Sequence, residues 1–192
     1  MPIDIGTFSM DSSGVKYYNY SNILKPSLVL YYDFGIASSY PGAGATVTNF
    51  GTGSYTGTLN NGPSFVSTDS GGCLSFDGTN DYVSIPNGVF NYASNSVFSI
   101  SFWVKPNSLA STFILFDGCI VGAIQGYYLQ YGSSTLRFGQ NDATGNYYTE
   151  KYISNPFTVG SWTHIVVTNS GSPDQANWKI YVNGADAGGS TV

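Results

Sequence analysis

The chain has 192 residues, 42% of them hydrophobic and 16% aromatic, with six Lys and Arg against eleven Asp and Glu and a formal net charge of −5. That length supports one domain with a sizeable core plus a short arm, and the composition excludes a disordered chain. The scarce, unclustered cations exclude a phosphate-tracking surface, because nucleic-acid binding needs them to displace condensed counterions, and no run is long enough to insert across a bilayer.

Met1-Pro2-Ile3-Asp4-Ile5 lacks the basic start and apolar centre of a secretory signal, so the protein is expected to stay where it is made unless a signal has been removed. Residues 1–26 show no sustained period and carry an aromatic cluster, Tyr17, Tyr18 and Tyr20, before Lys25-Pro26. They read as an N-terminal arm that either lies on the domain, closing a sheet, or docks on a partner through those tyrosines. Residues 27–192 read as one domain. Ser27 to Asp33 is a continuous apolar run ended by a carboxylate, which predicts a central strand covered on both faces. From Gly35 to Ser70, Tyr40-Pro41-Gly42, Gly51-Thr52-Gly53 and Asn60-Asn61-Gly62-Pro63 mark turns between short strands.

Gly72 to Ile85 alternates apolar and polar residues on either side of Asp77-Gly78, the grammar of a β-hairpin with a short acidic tip. Cys73 and Cys119 both sit in extended apolar patterns; two buried small hydrophobes is the simpler reading, a cross-sheet disulfide the sharper one. Val97 to Val104 alternates Phe98, Ile100, Phe102 and Val104, which should face the core, with Ser99, Ser101 and Trp103. Further strands are predicted at 113–116, 127–131, 135–138, 147–153, 162–168 and 178–182, with no helix of ordinary length. Many short strands between frequent turns predict an all-β antiparallel sandwich of two sheets.

The segments LSFDGTNDYVSI, FSISFWVKP, SWTHIVVT and WKIYVNG, in that order, resemble the laminin-G-like (concanavalin A-like) jelly-roll domain over residues 28–188. The resemblance implies a two-sheet jelly-roll sandwich behind the arm. GTLNNGPSF and LVLYYDFGIASSYPGAGATVTNFG are similar to the viral and tailed-phage structural members of that family. Only eight residues follow Gly184, where the family has two or three more strands, so the resemblance implies an open edge unless the last strands lie beyond Val192, which is the favoured reading, or the arm or a neighbouring subunit fills the place.

Some relatives in this fold are glycoside hydrolases, which need two carboxyl groups flanking the scissile bond. Glu150 is the only glutamate, and its neighbours supply no second acid. A Ser-His-Asp system would have to use His164, the only histidine, which occupies a structural position of the family's strand. No enzyme activity is therefore expected. Asp77, Asn80 and Asp81 cluster in one turn and offer the hard oxygen ligands that Ca²⁺ prefers, as in some family members; their other reading is a set of Asx turns. Asp33 and Asp117 end strands and are further carboxylates of the same kind. Carbohydrate is bound by aromatic faces with amides beside them, and Tyr127, Tyr128, Gln130, Asn146, Tyr147 and Tyr148 are the glycan-binding candidates.

The expectation is a non-enzymatic virion structural protein, a capsid decoration or fibre component on the virion surface. It would display a lectin-like domain to cell-surface glycan, with the arm joining other virion proteins and the chain oligomeric in the particle. The alternative is an extracellular bacterial adhesin or carbohydrate-binding module, with a glycoside hydrolase as a third reading.

Overall fold

The computed structural model describes residues 8–10, 16–18, 27–69, 71–86, 89, 96–118, 126–141, 147–171 and 174–191, with backbone alone at 8–10, 16–18, 141, 147 and 148. These form an all-β, antiparallel structure that divides into two units, residues 1–89 and 90–192.

In the first unit, β1 (Phe8–Met10) and β2 (Lys16–Tyr18) pair with each other as an antiparallel ribbon, so this part of the expected arm holds local sheet. Residues 28–33, half-buried except for the exposed Val29, form no strand, contrary to the sequence pattern. The reason lies in Asn49. Its Oδ1 accepts from the N–H of Tyr31 at 2.7 Å and of Gly51 at 2.8 Å, while its Nδ2 donates to the carbonyls of Val29 at 3.0 Å and Gly53 at 2.6 Å. Main-chain bonds from Phe50, Thr52 and Gly53 to the carbonyls of Tyr31, Leu28 and Val29 join those of the amide, so a mixed set of side-chain and main-chain bonds takes the place of a regular ladder. Asn49→Ala is expected to destabilise this unit by about 2 kcal/mol, because four hydrogen bonds of the amide are lost together, although the Val29 carbonyl keeps its bond from the Gly53 N–H. Thermal denaturation followed by circular dichroism checks it, and an unchanged midpoint would mean that water replaces the amide at no loss.

Four strands follow the short β3 (Thr46–Val47): β4 (Gly57–Asn60), β5 (Ser64–Val66), β6 (Cys73–Ser75) and β7 (Tyr82–Ser84). β6 and β7 do not pair with each other, which corrects the expected hairpin. β6 pairs with β5 (Phe65 opposite Leu74) and β7 with β4 (Leu59 opposite Val83). The four make one long hairpin, with its tip between β5 and β6, that is broken on both arms. Asn61 (φ 65°) and Gly62 (φ 99°) turn the outgoing arm, Asp77 to Asp81 turns the returning one, and Asn61 Nδ2 donates to the Asn80 carbonyl at 2.6 Å, tying the breaks together. The acidic turn is therefore an interruption within the returning arm. Cys73 is half-buried with a free thiol, and burial pushes that thiol up from its ordinary pKa; Cys119 lies outside the described residues.

The second unit contains two sheets. One is a meander of β9 (Phe113–Asp117), β10 (Gly126–Gly132), β11 (Thr135–Asn141) and β12 (Tyr147–Ser154), extended at the β12 edge by β16 (Ser190–Thr191). The other runs β15 (Ala185–Asp186), β14 (Lys179–Val182), β13 (Thr163–Ser170), β8 (Val97–Val104). Ser133 (φ 51°) and Ser134 (φ 59°) make the two-residue β10–β11 turn, and Asn183 (φ 49°) with Gly184 (φ 85°) makes the β14–β15 turn. Both have the left-handed backbone that matches strand twist. The residues after Gly184 thus add a short strand to each sheet in turn.

Period-two alternation buries one face of each sheet against the other. From β8 and β13 come Phe98, Ile100, Phe102, Val104, Ile165 and Val167, and from β14 Ile180 and Val182. The meander supplies Tyr127, Leu129, Tyr131, Leu136, Phe138 and Ile153. Those from β8 are the residues that the sequence pattern assigns to the core. Trp178 reaches the same core, positioned by a 3-10 turn (Gln175–Asn177) whose preceding residue, Asp174, accepts from Ala176 N–H through its side chain.

Candidate functional site

The acidic turn comes first in the chain. Asp77 Oδ1 accepts from Thr79 N–H at 2.8 Å and Asn80 N–H at 3.4 Å, and Asp81 Oδ2 accepts from Asp77 N–H at 3.0 Å. The Thr79 N–H foremost, with those of Asn80 and Asp81, holds the Asp77 carboxyl below the usual carboxylate range. Both carboxylates are engaged by backbone donors through one oxygen each, which is the arrangement of an Asx turn. Among the described residues no three of His, Cys, Asp and Glu group as metal ligands, and the Asp33 carboxylate is taken up by Tyr31 Oη–H and Gly35 N–H.

The candidate sugar-binding residues separate. Tyr127 is 0% exposed, its ring between Phe98, Phe138 and Trp178, and its hydroxyl oxygen accepts from the buried Asn169 Nδ2 at 2.9 Å. Burial pushes its phenol pKa up. Tyr128 points to the outer face of the meander yet is only 4% exposed. Register places Tyr128, Gly139 and Glu150 side by side on three strands, and the tyrosine ring crosses the space that a side chain at Gly139 would need. Its hydroxyl donates to Glu150 Oε1. Neither tyrosine offers the free ring face that stacking on a sugar needs. Gln130 is half-buried one residue pair along; Asn146 lies outside the described residues, as do the side chains of Tyr147 and Tyr148. In the arm, Tyr17 pairs with Ser9 and Tyr18 with Phe8 through the backbone, and Tyr20 is outside the described residues.

Glu150 and Arg137, the only glutamate and the only arginine, meet on that outer face at 3.3 Å, and Arg137 Nε also donates to Thr135 Oγ1 at 3.0 Å. The carboxylate, 13% exposed, is clamped between a guanidinium and a phenol. A glycosidase uses two carboxyl groups that flank the scissile bond, whereas both oxygens of this carboxylate are taken up by protein donors.

The outer face of the other sheet is different. His164 on β13 lies opposite Trp103 on β8, and the rings stack at 4.9 Å with 28° between their planes. Ser101 Oγ is 2.8 Å from His164 Nε2, and Asn183 anchors the backbone of His164 on the far side. Trp103 is 63% exposed. A serine beside a histidine suggests nucleophile chemistry, but among the described residues no carboxylate is hydrogen-bonded to His164 to orient the ring. The signal for this site was in the sequence: Trp103 shares the outward-facing register of β8 with two serines.

Residues 77–192 match the laminin-G-type family model of the concanavalin A-like lectin/glucanases superfamily. The chain belongs to that superfamily. The crystal structure of residues 221–444 of an S-layer domain-containing protein from Clostridium thermocellum is similar to this superfamily member with a TM-score of 0.54 at 22% identity, covering 85% of this chain and 72% of that one. The likeness is one of fold. No curated protein matches the sequence.

Proposed function

We propose that the chain is a non-enzymatic virion structural protein, a capsid decoration or fibre component of the viral subset that its N-terminal half resembles, displaying a lectin-like domain for glycan or host-surface binding. The observation that carries the non-catalytic part is the state of Glu150. A fold shared with lectins and glucanases is present, while its only glutamate is tied to Arg137 and Tyr128. The motifs over 29–52 and 57–65 support the virion setting, and residues 1–26 are the segment that joins other virion proteins and makes the chain oligomeric in the particle. A bacterial extracellular adhesin or carbohydrate-binding module is the second reading, favoured by the S-layer protein with the similar fold.

Deleting residues 1–22 is expected to leave the circular dichroism spectrum of the sandwich intact and to abolish co-sedimentation with purified particles, because the tyrosine-rich segment recovers its ordering entropy only on a partner. Retained incorporation would move the contact onto the sandwich, and absence of the full-length protein from particles would leave the adhesin reading in its place.

A further inference from the structure

We infer that the outer face of the four-stranded sheet is a carbohydrate-stacking platform centred on Trp103, whose ligand is a neutral, ribbon-shaped glycan of β-1,4-linked glucose or N-acetylglucosamine. This rests on the lectin-like reading above and gives it a site and a ligand class.

Trp103 is a large aromatic left 63% exposed on a regular strand, where burial of its ring would otherwise be favourable. It is also held still. The His164 ring backs it at 4.9 Å, and Ser101 at 2.8 Å together with the Asn183 bond to the His164 backbone fixes that ring in turn. An immobilised ring loses little conformational entropy when a ligand covers it, which is the advantage of a preorganised site. Around it the face carries hydroxyls: Ser101 stands opposite Val166, Val166 opposite Tyr181, and Thr168 opposite Ser99. The charged pair on this sheet, Lys179 and Asp186, is closed on itself at 2.8 Å.

These features select the ligand. An exposed indole on the sheet matches a sugar whose hydroxyls are equatorial, since its axial C–H groups then form an apolar face that lies on the ring. The hydroxyls of the sheet reach the rim of that sugar. Among the described residues, Lys179 is paired with Asp186 and Lys105 lies over the Trp162 ring at 5.3 Å, so this face favours a neutral glycan over a sialylated, sulfated or phosphorylated one.

The test titrates the full chain with cellohexaose and with chitohexaose by calorimetry, alongside Trp103→Ala and Trp103→Tyr, with thermal melts confirming that each variant is folded. The expected result is binding of at least one oligosaccharide, weakened about tenfold or more by Trp103→Ala and within a few-fold of the parent in Trp103→Tyr. Equal binding by Trp103→Ala would overturn the platform while leaving the lectin reading. Binding only of anionic glycans on an array would do the same, and no glycan binding at all would remove both. A concentration-dependent dimer lost in Trp103→Ala, without a glycan effect, would assign the face to a second copy of the chain and overturn the proposal.

Discussion

Replacing Trp178 with alanine is expected to lower the stability of the second unit by about 4 kcal/mol, the range of a large aromatic removed from a packed core. Trp178 is 0% exposed, its ring 5.1 Å from Phe138 and 5.6 Å from Tyr127. It touches the meander from a position that opens β14 in the other sheet, so its removal leaves a cavity between the sheets. Denaturant unfolding followed by tyrosine fluorescence measures the effect, with Trp178→Phe as the variant expected to keep most of the stability. A loss below about 1 kcal/mol would show that the two sheets are held together elsewhere.

Glu150→Ala is expected to destabilise by about 2 kcal/mol, since it strands the Tyr128 hydroxyl and leaves Arg137 without its partner. Arg137, at 38% side-chain exposure, recovers part of the loss by turning to water. Tyr128→Phe is expected to lose about 1 kcal/mol, and the double variant less than the sum, because the two share one hydrogen bond. This separates two roles by stability alone. A catalytic carboxylate is held in a strained or desolvated setting, and its removal is commonly neutral or stabilising. A glutamate whose loss leaves or raises the unfolding midpoint would favour the hydrolase reading.

The parts of this fold that were legible in the sequence are those in which one face is buried and the other wet. β8 alternates Phe98, Ile100, Phe102 and Val104 with Ser99, Ser101 and Trp103, and the buried set is the apolar one. β10 carries no such contrast. Tyr127, Tyr128, Leu129, Gln130 and Tyr131 are four buried residues and one half-buried one, covered on both faces, so tyrosine identity says nothing about which ring is free. The run at 28–33 looks like a strand because apolar content records burial, whereas a strand needs a regular ladder, and here the Asn49 side chain and a few main-chain bonds from 50–53 share that role. The segment around Asp77 looks like a hairpin because turn chemistry is local, while the partners of β6 and β7 lie earlier in the chain. Trp103 was readable as outward-facing from its alternation with the core set. Its stacking on His164 was not, because cross-strand register between β8 and β13 depends on a pairing distant in sequence.

The pairing of β8 has a consequence for the order in which the protein is made. The meander β9 to β12 joins strands that are neighbours in sequence, so each can pair as it leaves the ribosome. β8 emerges before all of them, yet its partner in the four-stranded sheet is β13, in which Val104 meets Thr163 and Val97 meets Ser170. Throughout translation of the meander, an eight-residue strand with Phe98, Ile100 and Phe102 on one face and Trp103 on the other waits without that ladder. A nascent chain stalled in this interval is therefore the species most exposed to chaperone capture or to edge-to-edge aggregation, and slowing synthesis before residue 163 should lengthen that exposure.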